Sequence, residues 1–372
     1  MLKHFKRRLI NLPGWHTKRK IVVLDSDDWG SIALPSLEVF ESLKDSGFRM
    51  ELNPYLKYDS LASESDLTAL FDILTRYKDK NGNHPVFTAN TVVANPDFEK
   101  IRSSEFMEYH YELFTETLKK YPQHAKSFEL WQQGISQGIF YPQFHAREHL
   151  NVTYWMKSLQ TGHPQICLGF RNGFYILDTA THPNIEHSCT SAHYPKTEKE
   201  CHEIETSVKD GLKIFKDIFG YQSRSFTGTG YIWSSSIEKM LEKEGVRYLK
   251  GLIIQRDPII GTGKFKAKYH YTGQSNKFGQ IHLVRNAFFE PGLDNEKDEC
   301  ISDCLDRINT AFLSGKPAII STHRINYIGY ISEKFRNENL RFLNLLLSQM
   351  LKQHPDIEFM TSDELGSLVE GG

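Results

Sequence analysis

The sequence predicts an α/β fold in which a largely parallel sheet closes into a barrel with long insertions on its rim. Three observations carry that prediction. Eight short apolar segments alternate with amphipathic helical ones along all 372 residues. No glycine-rich phosphate fingerprint follows any of the apolar segments, which removes the simplest doubly wound dinucleotide fold. Several of those segments also run directly into His, Asp or Gly, the residues expected where a barrel builds its site from the C-terminal ends of strands.

The strand candidates are Lys20 to Asp25, Pro85 to Asn90, Ile139 to His145, Ser223 to Gly228, Arg247 to Leu252, Ile281 to Asn286, Pro317 to His323 and Ile357 to Thr361. Between them the helices announce their own ends. Ser63-Glu64-Ser65-Asp66 opens a helix that stops before Asn81-Gly82, and Glu198 to Phe219 ends at Gly220. Ser235-Ser236-Ile237-Glu238 has capping-box spacing, and its helix ends at Gly245. Asp298 to Leu313 ends at Gly315, and Asn337 to Gln353 ends before Pro355. No composition shift or repeat marks a boundary, so one catalytic domain is expected over 1–372, with an arm at 1–19 and insertions at about 35–61 and 168–195.

Composition narrows the function. A hydrophobic share of 39% with 24% charged residues is that of a globular enzyme-sized chain. A formal net charge of -1 supplies no global field for nucleic acid. Five scattered cysteines without a CxxC pair argue against a disulfide framework and a thiolate zinc site. The basic start, with Lys3, Lys6, Arg7 and Arg8, is broken by Pro13-Gly14 before any apolar run develops, so it reads as a solvated arm and the location as cytoplasmic. No run of about 18 apolar residues exists to span a membrane.

The chemistry concentrates at strand ends. Leu24-Asp25-Ser26-Asp27-Asp28-Trp29-Gly30 crowds three carboxylates that repel one another unless a cation, donors or a shared proton compensates. The plain alternative is an Asp-rich turn. Phe144-His145-Ala146-Arg147-Glu148-His149 places two imidazoles four apart, which on a helical turn point the same way and can grip one metal ion. Two such histidines plus one carboxylate form a common divalent-metal set. His323, just past Ile319-Ile320-Ser321-Thr322, suits a general acid because imidazole titrates near neutrality. Gly228 and Gly230 allow backbone N–H groups to approach an oxyanion, or simply make a tight turn. Trp29, Tyr231, Trp233 and Tyr327 are candidates for stacking on a sugar ring or for plain packing.

Taken in order, an Asp-Asp after the first strand, HxxxH after a later one, a Phe/Gly-rich turn and a lone His after the penultimate strand resemble the polysaccharide deacetylases of carbohydrate esterase family four, the NodB-like fold. The segment from Ile357 to Leu365 is similar to that fold's last strand and helix. The resemblance spans Lys20 to Leu365 and implies a distorted (β/α)7 barrel. It implies Asp27 as general base, Asp28, His145 and His149 as metal ligands, and His323 as the acid that protonates the leaving group. The implied cofactor is a divalent ion, Zn2+ first, with Ni, Co or Fe as alternatives. The implied substrate is an N- or O-acetylated carbohydrate.

Departures leave some roles open. Asp25 is an extra carboxylate, so base and ligand could shift to Asp25 and Asp27. Thr227 stands where the family has an Arg that orients the base, leaving Arg224, Arg285 or Arg147 to replace it. The segment Arg285 to Pro291, with Glu290, is unusual enough to belong to a site. Two rival readings remain, a glycoside hydrolase on a related barrel working through carboxylates such as Asp27 and Glu290, and a glycan-binding relative without catalysis. Which sugar is bound and the oligomeric state are not readable from these residues.

Overall fold

The computed structural model describes residues 7, 8, 10–293 and 297–371, and within the helix that begins at Lys297 the side chains of 297 and 298 lie outside the description. The first part of the predicted N-terminal arm, 1–6, also lies outside it.

The core is a curled parallel sheet. Its strands, numbered along the chain, are β1 (Lys20–Trp29), β2 (Phe87–Val92), β3 (Phe140–Ala146), β4 (Ser225–Thr227), β5 (Tyr248–Gly251), β6 (Ile281–Val284), β7 (Ala287–Phe288), β8 (Ala318–His323) and β9 (Ile357–Phe359). β1 pairs with β2 on one side and β8 on the other, while β9 joins the start of β1. From β2 the order runs through β3, β4 and β5 to β6. β7 pairs with β8 instead.

The sheet closes through one bent segment. Residue Arg285 donates its backbone N–H to Gly251 O on β5 at 2.9 Å, and the next residue, Asn286, donates to Ile319 O on β8 at 3.1 Å. Consecutive residues thus bond opposite neighbours, and β6 with β7 acts as a single broken strand that completes a seven-membered ring. The (β/α)7 barrel of the sequence reading is the architecture found. Ile21, Val22, Val23 and Leu24 are at most 1% exposed, because both faces of β1 are covered, and this is why the strand reads as an unbroken apolar run.

Several elements differ from expectation. β1 continues four residues beyond Asp25, through the acidic cluster to Trp29. Between β2 and β3 lie an antiparallel pair, Ala94–Pro96 with Tyr111–Leu113, and helices Phe98–Ser103, Phe114–Lys120 and Ser127–Ser136, none of them among the expected elements. A two-stranded ribbon, Ile254–Ile259 with Lys264–Tyr269, projects after β5. Its outer strand is mostly exposed and therefore lacks the buried alternation that signals a strand. The capping box expected at Ser235 does not form, since its hydroxyl bonds Asp257 while Ser234 caps the turn, and a capping box is found instead at Ser63 and Asp66.

The two insertions meet over the barrel mouth. The first contains helix Leu37–Asp45, a short 3-10 turn at Met50–Leu52 and helix Pro54–Tyr58. The second, expected over about 168–195, opens on the last turn of helix Pro164–Arg171 and is otherwise irregular. Arg49 N–H donates to Thr181 O at 2.9 Å, and the Phe48 and His182 rings lie 5.4 Å apart. No helix among the described residues is long and apolar enough to cross a membrane.

Candidate metal centre

β1 aims its carboxylates by strand parity and one deliberate break. Residues two apart share a face, so Asp25 and Asp27 both point into the barrel, where they are 0% and 3% exposed. Parity would turn Asp28 away. Instead Asp28 adopts φ +75°, in the left-handed region, and the pairing of β1 with β2 shifts register between Ser26 and Trp29. Such a bulge re-aims one side chain at a local strain cost of about 1–3 kcal/mol. Gly30 follows at φ +85°, where a Cβ would stand 2.3 Å from Val92 O, so the turn accepts only glycine.

The break delivers the Asp28 carboxylate to two imidazoles. Its Oδ1 lies 3.4 Å from His145 Nε2 and 3.3 Å from His149 Nε2. One ligand atom from each of the three residues falls within 4.8 Å of the other two. His145 Nδ1 donates to Thr227 O at 2.6 Å, which fixes the tautomer and leaves Nε2 free to accept a metal. Three borderline and hard donors converging with an open side fit a catalytic divalent ion. The HxxxH does not form the helical turn expected of its spacing. His145 is the last but one residue of β3, and His149 lies in the bend after it, before the next helix starts at Val152.

Behind these three residues sits a dry charge network. Arg285 holds Asp27 through Nη1 to Oδ2 and Nη2 to Oδ1, both 2.6 Å, and Asp25 through Nε to Oδ2 at 2.9 Å. Lys250 Nζ donates to Asp25 Oδ1 at 2.8 Å and also to Asn90 Oδ1. The Asn90 amide in turn donates to Asp25 Oδ1 at 2.9 Å and Asp27 Oδ1 at 2.7 Å. Burial pushes both carboxyls up, but their charged partners together hold each below the usual range, Arg285 with Lys250 for Asp25 and Arg285 with His145 and His323 for Asp27.

On the other side of Asp27, His323 Nε2 stands 3.8 Å from Asp27 Oδ2, and its Nδ1 donates to Glu290 Oε1 at 2.6 Å. Asn326 holds the second Glu290 oxygen at 2.7 Å. Burial lowers the imidazole pKa, yet Glu290 together with Asp28 and Asp27 reverses this and raises it to about 10. Tyr55 meets the His323 ring edge-on at 5.4 Å.

Asp27, Asp28, His145, His149, His323 and Tyr55 line a cavity of about 490 Å3 to which both insertions contribute walls. A larger hollow of about 820 Å3, around Arg147 and Glu148, contains neither aspartate nor His323.

The remaining candidates divide cleanly. Asp25 is engaged by Arg285 and Lys250 and is not part of the Asp28, His145 and His149 cluster. Of the three candidate arginines, Arg285 alone reaches Asp27. Arg147 pairs with Glu148 and Asp210, and Arg224 reaches Tyr248 and Ser367. Glu290 joins the site through His323. Gly230 lines the cavity, and its carbonyl accepts from Arg256 at 2.8 Å. Tyr231 lines it too, its hydroxyl accepting from Arg285 at 2.9 Å.

Trp29, Trp233 and Tyr327 are corrections, being at most 2% exposed and packed in the core. Trp29 donates to Ser26 Oγ and lies edge-on to Phe140, Trp233 packs on Phe226, and Tyr327 bonds Thr322. Sequence reasoning missed Lys250, Asn90 and Tyr55. The first two carried a signal, a polar side chain in the middle of an otherwise buried parallel strand.

Residues 176–251 match a known family pattern. The match is to glycosyl hydrolase family 57. It covers β4, β5 and the helix between the second insertion and β4, and it includes none of Asp27, Asp28, His145, His149 or His323. No curated protein sequence matches the chain. Solved structures with a similar course include a candidate polysaccharide deacetylase from Mycobacterium smegmatis, at 11% identity, TM-score 0.46, covering 96% of this chain and 93% of that one. The 4-alpha-glucanotransferase from Thermococcus litoralis aligns at 9% identity, TM-score 0.47, covering 94% and 40%. The peptidoglycan deacetylase PdaC from Bacillus subtilis aligns at 10% identity, TM-score 0.36, covering 95% and 92%. At these values no activity transfers, and the description of the fold rests on its own strand order.

Proposed function

We propose that the protein is a metal-dependent hydrolase that removes acetyl groups from a carbohydrate. The observation that carries this reading is the convergence of Asp28, His145 and His149 beside an arginine-held Asp27 and a glutamate-held His323. Asp28, His145 and His149 would hold the ion, most simply Zn2+. When bound, the ion supplies Lewis acidity toward water and the acyl oxygen.

The chain's own groups then have defined tasks. Asp27 is ionised at neutral pH. Its Oδ1 accepts from Arg285 and Asn90, whereas among the described residues Oδ2 accepts a hydrogen bond from Arg285 alone, which leaves it acceptor capacity. That oxygen takes the proton of the attacking water. His323, kept protonated by Glu290, gives its Nε2 proton to the departing nitrogen or oxygen, so that acetate and a free amine or hydroxyl result. Arg285 and Asn90 fix the direction of Asp27, and Tyr55 and the two insertions limit water in the cavity.

The carbohydrate part of the proposal is supported by the family-57 pattern over residues 176–251. That pattern favours the second reading, a glycoside hydrolase, more than it favours a deacetylase. On geometry the second reading has less room. Both Glu290 oxygens are engaged by His323 and Asn326, and Asp27 is held ionised, so neither is free to act as a protonated acid.

One experiment separates the readings. The zinc-loaded protein is assayed for acetate release from N-acetylated and O-acetylated oligosaccharides and for new reducing ends from α-glucans, each with and without a chelator. Acetate release that the chelator abolishes and zinc restores supports deacetylation. Chelator-resistant production of reducing ends overturns it.

A further inference from the structure

The proposed chemistry uses Asp27 and Arg285 but gives no task to Lys250, a cation 1% exposed at the centre of the barrel. Lys250 comes from β5, the strand that also receives the Arg285 backbone N–H. Its ammonium touches two groups, and each of them touches Asp27 or the residue that clamps it. One route runs through Asp25 to the Nε of Arg285, the other through Asn90 to Asp27 Oδ1.

The charges make the arrangement specific. Arg285 is one cation facing two buried carboxylates, Asp25 by its Nε edge and Asp27 by its Nη pair. With Arg285 alone the site would hold one excess negative charge in a dry interior, where an unpaired ion is strongly disfavoured. The guanidinium would then be drawn inward toward Asp25, which is fully buried, and away from the edge that faces the cavity. Lys250 supplies the second positive charge on the inner side of Asp25. Accepting from Lys250 also fixes the Asn90 amide, so that its N–H groups and not its carbonyl face the aspartates.

We propose that Lys250 is a positioning residue, which neutralises Asp25 from behind and thereby leaves Arg285 free to hold Asp27 by both oxygens. The proposal rests on the reading of Asp27 as the proton acceptor only for its catalytic consequence. The geometric consequence stands without it.

The test therefore has two readouts, made on the zinc-loaded full chain for wild type, Lys250→Met and the charge-balanced pair Asp25→Asn/Lys250→Met. In crystal structures, Lys250→Met is expected to show Arg285 withdrawn from Asp27 beyond hydrogen-bond distance, with the clamp restored in the double variant. In acetate-release assays, kcat is expected to fall by about a hundredfold in Lys250→Met with zinc affinity unchanged, and to recover at least about tenfold in the double variant.

An unchanged Arg285–Asp27 clamp in Lys250→Met overturns the proposal, as does a double variant no better than the single one. If Lys250→Met does not fold, the double variant decides. A folded, zinc-binding protein that keeps the clamp supports the proposal, and one that has lost it overturns it. Wild type that binds zinc but releases no acetate defeats the hydrolase reading, while the crystallographic comparison still decides the role of Lys250.

Discussion

Arg285 grips Asp27 through two parallel hydrogen bonds of 2.6 Å, Nη1 to Oδ2 and Nη2 to Oδ1, with the guanidinium itself 1% exposed. The bond is made possible by ring closure, since Arg285 lies at the bend where the chain passes from β6 to β7. Bidentate charge-assisted pairs fix both distance and plane, which a lysine cannot do.

Replacing Arg285 therefore acts on stability and rate together. Arg285→Gln leaves Asp25 to Lys250 and Asn90 and takes from Asp27 its guanidinium partner, and a broken buried pair costs about 3–5 kcal/mol. Denaturant unfolding is expected to show that loss. Arg285→Lys should lose less stability yet still drop kcat by about a hundredfold, because one ammonium cannot hold both oxygens. Equal kcat for Arg285→Lys and wild type would contradict the role given to the clamp.

Zinc should stabilise the fold through Asp28, His145 and His149. A ligand at a hundred times its Kd adds about 2.7 kcal/mol. Melting with and without added zinc is expected to show a rise in Tm for wild type and little or none for His149→Ala. A chelator should return wild type to the metal-free Tm. An identical zinc response in both proteins would rule out His149 as a ligand.

The Glu290–His323 pair makes a pH prediction. Glu290, helped by Asp28 and Asp27, raises the folded His323 pKa from 6.5 to about 10, so the acid form persists through the neutral and mildly alkaline range. In Glu290→Gln burial remains and the largest raising charge is gone, so the imidazole loses its proton at a lower pH. The alkaline limb of kcat/KM is expected to move to lower pH in the variant. Profiles that overlay would remove His323 from the role of acid.

The aromatic residues divide into core and cavity. Trp233→Ala should cost about 3–5 kcal/mol of stability, as for other buried large-to-small changes. Tyr231→Phe removes only a hydroxyl that Arg285 touches and should change Tm little while lowering kcat/KM. The two effects are read by thermal melts and by initial rates. A large rate loss with an unshifted Tm in Trp233→Ala would return that residue to the cavity.

Much of the architecture was legible because a barrel strand is covered on both faces. Ile21 to Leu24 and Ile319 to Ile320 had to be apolar without interruption, and the histidine or aspartates that follow stand out against such runs. The ribbon 254–269 was not legible, because little of its outer strand is buried and burial is what imposes alternation. Trp29 and Trp233 show the same limit from the other side. An indole beside a strand end has one composition whether it faces a sugar or the core, and only its neighbours, Phe140 and Phe226, decide which.

By itself the sequence determined a parallel α/β barrel and the short roster of Asp25, Asp27, Asp28, His145, His149 and His323, since these depend on local burial and on order along the chain. Tertiary structure alone decided what each does with its charge. Asp28 reaches the imidazoles because a bulge turns one residue against strand parity. Asp25 is withdrawn from the metal side because Lys250, 225 residues away, lies behind it. Arg285 becomes the partner of Asp27 because the barrel closes where its backbone bends, 258 residues further along. Electrostatic pairing depends on distances of a few ångströms, and separation along the chain does not encode them.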